Sequence, residues 1–148
     1  MRDTRRHGRC AMLLGLALAL LSGCSQEPAE ARLRSTIDAM EAAVIERRPA
    51  DFMERVAEDF VGDQGLDRAA MHNLLRAQLV RNAKIGVTRG PLDVKLQGER
   101  ATVTFKLVLT GGAGGLLPER AQGYAVTSGW RDVDGEWELF LAEWKPAL

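Results

Sequence analysis

Hydrophobic and polar positions divide the chain into three regimes. Residues 11–21 are almost uninterruptedly apolar. From Ala29 to about Asn82 apolar residues recur at helical spacing, and from Ile85 onward they alternate with polar ones. In the helical regime Leu33, Ile37, Met40 and Val44 share one face of a predicted helix over Ala29–Arg47, which Arg48-Pro49 breaks. Phe52, Val56 and Phe60, four apart, predict a second helix starting near Ala50. After the loop Gly62-Asp63-Gln64-Gly65, Asp67 is placed to cap a third helix reaching about Asn82, with Met71, Leu74, Leu75, Gln78 and Leu79 near one stripe.

The alternating regime predicts strands. Ile85 and Val87 form a short one; Leu92, Val94 and Leu96 a second; Ala101, Val103, Phe105, Leu107 and Leu109 a third. A two-residue turn at Gly98-Glu99 would pair Gln97 with Arg100, set Leu96 opposite Ala101 and Val94 opposite Val103, and put every apolar residue on one side. A second turn at Asp134-Gly135 would pair Val133 with Glu136, Arg131 with Glu138 and Gly129 with Phe140. One face of that hairpin then holds Tyr124, Val126, Ser128, Trp130, Trp137, Leu139 and Leu141, with Asp132 and Glu143, and is assigned to the core. The other holds an Arg131–Glu138 ion pair, but also Phe140 and Trp144, too apolar for plain solvent exposure.

Helices followed by a long antiparallel sheet make an α+β layered domain. The element order, the segment Glu58-Asp59-Phe60-Val61 closing the second helix, and the ending Trp137–Trp144 resemble the nuclear transport factor 2-like superfamily, also called ketosteroid isomerase-like or cystatin-like, over roughly Ala31–Pro146. The resemblance implies three N-terminal helices packed on a curved antiparallel sheet that forms a cone. It also implies a homodimer through the outer sheet face, which would account for Phe140 and Trp144.

The first regime belongs to a different structure. Arg2, Arg5, Arg6 and Arg9 precede the apolar run, which is too short for the ~20 residues of a bilayer span and reads as a secretory signal. It ends in Leu21-Ser22-Gly23-Cys24, which resembles the lipobox of bacterial prolipoproteins. That resemblance implies a signal peptide over 1–23, cut before Cys24, and a cysteine carrying acyl chains including palmitate, with a tether over 24–30 and the domain over 31–148. Ser at position 25, not Asp, implies the periplasmic face of the outer membrane. The physical requirement is a thiolate nucleophile and more than one acyl chain, because a single chain anchors only marginally.

Charge and cysteine content exclude further classes. Of 20 Lys+Arg and 20 Asp+Glu, four arginines and one aspartate precede Cys24, leaving 16 against 19. The domain is mildly acidic and no nucleic-acid partner is expected. Cys10 leaves with the signal, so no disulfide, thiol nucleophile or cysteine-ligated metal is expected.

Candidate chemistry is sparse, and no residue-by-residue match to the superfamily's catalytic sets exists. Glu143, on the inward parity opposite Val126 and diagonal to Tyr124, would be a base if held among apolar residues; the blander reading has it reach water or pair with a cation. Asp132 is expected to be solvated. His72 lies beside the apolar stripe of the third helix, as a boundary residue. Asp59, Asp63 and Asp67 lack the alternating spacing of a calcium loop, and Asp67 is accounted for as a cap. The run Gly111-Gly112-Ala113-Gly114-Gly115 joins two strands without a phosphate-binding lysine and reads as a hairpin loop. Leu116 and Leu117 after it are candidates for a lid or contact, and Trp130 and Trp137 for ligand stacking, although tryptophans at strand spacing are more often core.

The expected function is a lipid-anchored envelope protein whose domain binds a small apolar ligand or a protein partner without catalysis and without cofactor or metal. The alternatives are an isomerase-, dehydratase- or cyclase-like enzyme using a cone carboxylate, and a structural accessory of an envelope assembly.

Overall fold

The computed structural model describes residues 27–115 and 119–147. Helix α1, Ala29–Ile45, buries Leu33, Ile37, Met40 and Ala43. This is the predicted stripe, ending on Ala43 where Val44 was expected. Beyond it Arg47 adopts a left-handed backbone, φ 62°, and Pro49 opens a separate short helix α2, Pro49–Met53. Asp67 caps α3, Arg68–Arg81, by accepting a hydrogen bond from the Ala70 N–H at 2.7 Å.

The second helix is much shorter than its spacing suggests. Val56–Gly62, including Glu58-Asp59-Phe60-Val61, is a strand, β1. A spacing of four is close to one helical turn and is also two strand repeats, so Phe52, Val56 and Phe60 satisfy both periods. Branched Val56 and Val61 and aromatic Phe60 favour the extended form. Strand β1 lies parallel to the last strand, with Val56 opposite Leu139 and Val61 opposite Leu141, so the sheet is mixed where an antiparallel one was expected.

The other strands are β2 (Lys84–Arg89), β3 (Asp93–Gln97), β4 (Arg100–Gly112), β5 (Arg120–Val133) and β6 (Glu136–Pro146). They form one curved sheet in the order β1-β6-β5-β4-β2. The free edge of β4 is shared: Arg100–Thr104 pairs with β3, and Leu107–Gly112 pairs with β2. The β3–β4 register is as expected, Gln97 opposite Arg100 and Val94 opposite Val103, with Gly98 supplying the positive φ of 63° at the turn. Gly111 and Gly112, expected in a loop, still pair with Ile85 and Lys84.

The β5–β6 register starts as expected and then shifts. Val133 faces Glu136 and Arg131 faces Glu138 across the Asp134-Gly135 turn, but Gly129 faces Leu141, not Phe140. Phe140 is the extra residue of a β-bulge. Every later residue of β6 therefore changes face: Ala142 joins Ser128 and Trp144 joins Val126 on the inner side, while Glu143 joins Thr127 on the outer side. The core is built on this inner face. Leu33, Ile37 and Met40 of α1 and Met53, Val56 and Phe60 pack with Ala101, Val103, Trp130, Trp137, Leu139 and Ala142, with Phe105 and Trp144 partly buried against them.

Bulge and glycine are matched. A Cβ at Gly129 would lie 2.9 Å from Phe140 Cζ and 3.1 Å from Leu141 Cβ. Phe140 occupies that space on the outer face, with the guanidinium groups of Arg100 and Arg131 stacked at 5.5 and 6.0 Å from its ring centroid. Arg131 also donates two hydrogen bonds to the Asp59 carboxylate, at 2.9 and 2.6 Å, and one to Glu138 at 3.3 Å. These bonds from Arg131 hold the Asp59 carboxyl below its ordinary value of 3.8.

Two outcomes are expected. Gly129→Val should destabilise the fold by about 1–3 kcal/mol in urea unfolding, because both crowding atoms belong to packed side chains. Combining it with Phe140→Ala should recover part of that loss, and additive losses would contradict the packing. Because the folded carboxyl of Asp59 titrates below its unfolded value, its pair with Arg131 stabilises above about pH 3.8 and is lost as pH falls through the lowered folded value. Asp59→Asn should thus lower the Tm modestly at neutral pH. The gap from the parent protein should close in strongly acidic buffer, and a gap that persists there would contradict the assignment.

Candidate functional site

The inner face of the sheet is filled at one end and uncovered at the other. Along β4, Ala101 is 4% exposed and Val103 fully buried, whereas Leu109, on the same parity, is 38% exposed. On β5, Trp130 and Ser128 are buried, Val126 and Tyr124 half-buried and Gln122 exposed. The end near the β5–β6 turn is filled by Trp137, 1% exposed, and by Leu33 of α1, fully buried. The open end is lined by Leu107, Leu109, Tyr124 and Gln122 with Val87 and Arg89 of β2, all on one parity of the ladder.

Arg89 is the charged group of this end. It faces α1 and donates to Glu41 at 2.7 Å and to Asp38 at 2.5 Å, with its side chain 18% exposed. Sequence reasoning missed this cluster, although a signal existed. Arg89 continues the Ile85–Val87 alternation onto the inner face, and Asp38 and Glu41 each follow a core residue of α1, Ile37 and Met40.

The sequence candidates are not brought together. Tyr124 does stand on the inner face, half-buried and paired with Leu107 and Pro146. Glu143 faces outward opposite Thr127 and is exposed, a correction that follows from the bulge. His72 is half-buried on the flank of α3. Asp132 is not solvated as expected: its side chain is 15% exposed, bonded to Arg32 at 2.5 Å, and accepts from the Gly135 N–H at 2.8 Å.

Trp130 and Trp137 are 3% and 1% exposed and belong to the core, not to a ligand surface. Their indole N–H groups donate to Ser128 Oγ at 2.9 Å and to the Ala29 carbonyl at 3.0 Å. Ser128 passes its own hydroxyl to the Val103 carbonyl at 3.1 Å. Trp144, expected on the dimer-forming outer face, is inward, and Phe140 is covered by two arginines. Leu116 and Leu117 lie outside the described residues, as does Cys24.

Asp59 is committed to Arg131 and Asp67 to its helix cap. Among the described residues no group of three or more His, Cys, Asp or Glu is arranged to hold a metal ion, and no buried side-chain N or O atom lacks a partner. A shallow groove of about 480 Å³ lies where Thr104, Lys106, Ala125 and Thr127 line the outer face beside Gly90-Pro91. It carries no acid–base pair. The arrangement at the open end suits an apolar ligand or an apolar side chain of a partner, with Tyr124 and Gln122 as polar contacts.

No protein-family model matches the chain, and no curated protein matches it. Solved structures do. One from Bdellovibrio bacteriovorus, Bd1075, superposes with a TM-score of 0.69 at 10% identity over 78% of this chain, which spans only 40% of that protein. A nuclear transport factor 2-like protein of unknown function from Pseudomonas putida gives a TM-score of 0.67 at 19% identity, covering 79% of this chain and 85% of that one. A provisionally named scytalone dehydratase from Novosphingobium aromaticivorans gives 0.72 at 11% identity, covering 80% and 84%. At these identities the likeness is one of fold, and the fold of this chain is that of the nuclear transport factor 2-like, or cystatin-like, proteins.

Proposed function

We propose that this chain is an envelope protein acylated at Cys24 and held on the periplasmic face of the outer membrane, whose domain binds an apolar ligand or partner without catalysis. The observation that carries the binding reading is the state of the inner face. Its closed end is packed by Trp130, Trp137, Leu33 and Val103, and its open end presents Leu107, Leu109 and Tyr124. The inward acids Asp132 and Glu41 are both taken up by arginines. General acid–base catalysis needs a titratable group free to exchange a proton with a bound molecule. The anchor reading rests on Leu21-Ser22-Gly23-Cys24 after a short apolar run.

A second reading, a dehydratase-like enzyme, is favoured by the name of the Novosphingobium neighbour. In this chain it would have to use Tyr124 with the Glu41–Arg89 pair. Turnover of a hydroxylated aromatic substrate, lost in both Tyr124→Phe and Glu41→Gln, would establish it over the binding reading.

Two measurements test the main reading. Cys24→Ala should abolish incorporation of a labelled fatty acid and move the protein from the membrane to the soluble fraction. Retention of either property would refute the anchor. Leu109→Asp should weaken binding of an apolar fluorescent probe severalfold while costing little stability, since Leu109 is already 38% exposed. Unchanged probe binding would remove the open end as the site.

A further inference from the structure

The start of the described chain is fixed to one end of the sheet. Arg32 donates to the Glu27 carbonyl at 2.7 Å, to the Gly135 carbonyl at 3.2 Å and to Asp132. Trp137 donates to the Ala29 carbonyl. Glu27 and Ala29 thus sit at the β5–β6 turn. The β3–β4 turn is beside it, because the Asp132 N–H donates to the Glu99 carbonyl at 2.7 Å.

The open end of the cone is at the other extreme. There Arg47 donates to the carbonyls of Leu79, Asn82 and Ala83, which ties the end of α1 to the end of α3. Asn82 lies against Gly111 and Ala83 beside Gly114, next to the β4–β5 connection. The 17 residues of α1 separate the two ends by about 25 Å.

Only Ser25 and Gln26 lie between Cys24 and Glu27. Three peptide units reach ~10 Å at full extension, well short of the length of α1. We propose that the domain stands on the bilayer holding its own acyl chains, with the Gly98-Glu99 and Asp134-Gly135 turns toward the lipid and the open end toward the aqueous space. This rests on the acylation of Cys24 proposed above.

Exposed apolar side chains stand at both ends, Leu96 at 41% and Val133 at 42% at the turn end and Ile45 at 44% and Val80 at 85% at the other, so the orientation is set by the length of the tether. Lying flat on α1 would press the Asp38–Arg89–Glu41 ion pairs against the bilayer, which would have to desolvate them. Glu99, Asp134 and Glu136 accompany Leu96 and Val133 and are repelled by anionic headgroups, so the short tether, not surface attraction, would hold this end at the membrane. The consequence for function is direct: whatever enters the open end arrives from the aqueous phase, not sideways from the same membrane.

The test uses the acylated protein, purified from membranes and placed in phosphatidylethanolamine–phosphatidylglycerol vesicles carrying a headgroup quencher. A clickable dye is introduced at Val133→p-azidophenylalanine or at Val80→p-azidophenylalanine. Val80 is 85% exposed and lies in the last turn of α3. Quenching should be severalfold stronger at position 133 than at 80, and a flexible insertion between Gln26 and Glu27 should erase the difference. Equal quenching at both positions with the native tether, or stronger quenching at 80, would overturn the orientation.

Mass spectrometry of the Cys24 peptide in the same sample separates the two failures. If no acyl chain is present, the anchor reading fails on its own account. The geometry is then judged on a chain coupled through Cys24 to a maleimide lipid, where the same quenching ratio decides.

Discussion

Opposite Gly129, strand β6 presents two residues where β5 presents one, and much of the domain depends on that extra residue. Without the bulge, continued alternation would put Trp144 and Ala142 outside and Glu143 among the core side chains. With it, Ala142 is 6% exposed beneath the helices and Trp144 packs against the core, while the carboxylate faces water. The bulge requires a residue without a Cβ on the facing strand, since Phe140 already occupies the space where one would sit. Phe140 in turn gives Arg100 and Arg131 a surface to stack on. Arg131 then reaches Asp59 on β1 and Glu138 on β6 and so joins three strands across the outer face.

Arginine serves the same purpose elsewhere. Apart from Cys10 and Cys24 the chain has no thiol, so no disulfide can tie its helices to the sheet. Arg32 binds the Gly135 carbonyl, Arg47 binds three carbonyls at the end of α3, and Arg68 binds those of Val56 and Met53. Each planar guanidinium offers several donors in a fixed fork and suits carbonyls left unpaired where elements end. Arg47 also places a positive charge at a helix C-terminus, where the dipole favours it. These contacts fix the ends of elements, which hydrophobic packing alone would leave free to fray.

Much of this was legible in the sequence, and the failures share a cause. The α1 stripe, the Asp67 cap, the β3–β4 register and the Asp134-Gly135 turn each rest on local chemistry that one stretch of chain contains. The misread features depend on a partner. Phe52, Val56 and Phe60 fit two periods, and only an available edge on β6 makes the strand preferable. The bulge depends on Gly129 and Phe140 jointly, eleven residues apart in sequence. It did leave a mark: strict alternation gave an outer face with Phe140 and Trp144 and an inner face with Glu143, an arrangement that one extra residue resolves. The Arg89 cluster was missed because an arginine at the end of an alternating strand looks like ordinary surface until α1 lies across it.

The same shift that corrects the strand also moves the chemical question. Once Glu143 is outside and the tryptophans are spent on the core, the inner face has a dry, fully hydrogen-bonded half and an apolar, partly uncovered half. The filled half is where the described chain begins, at Glu27 and the first turn of α1. The uncovered half lies toward the far ends of α1 and α3, where Arg47 and Asn82 donate to backbone carbonyls. A short tether can impose an orientation only on a body that is rigid at its point of attachment. Arg32 and Trp137 supply that rigidity by fastening the first residues of α1 to the β5–β6 turn. If Cys24 is acylated as proposed, this packing at the closed end would give the open end a fixed direction.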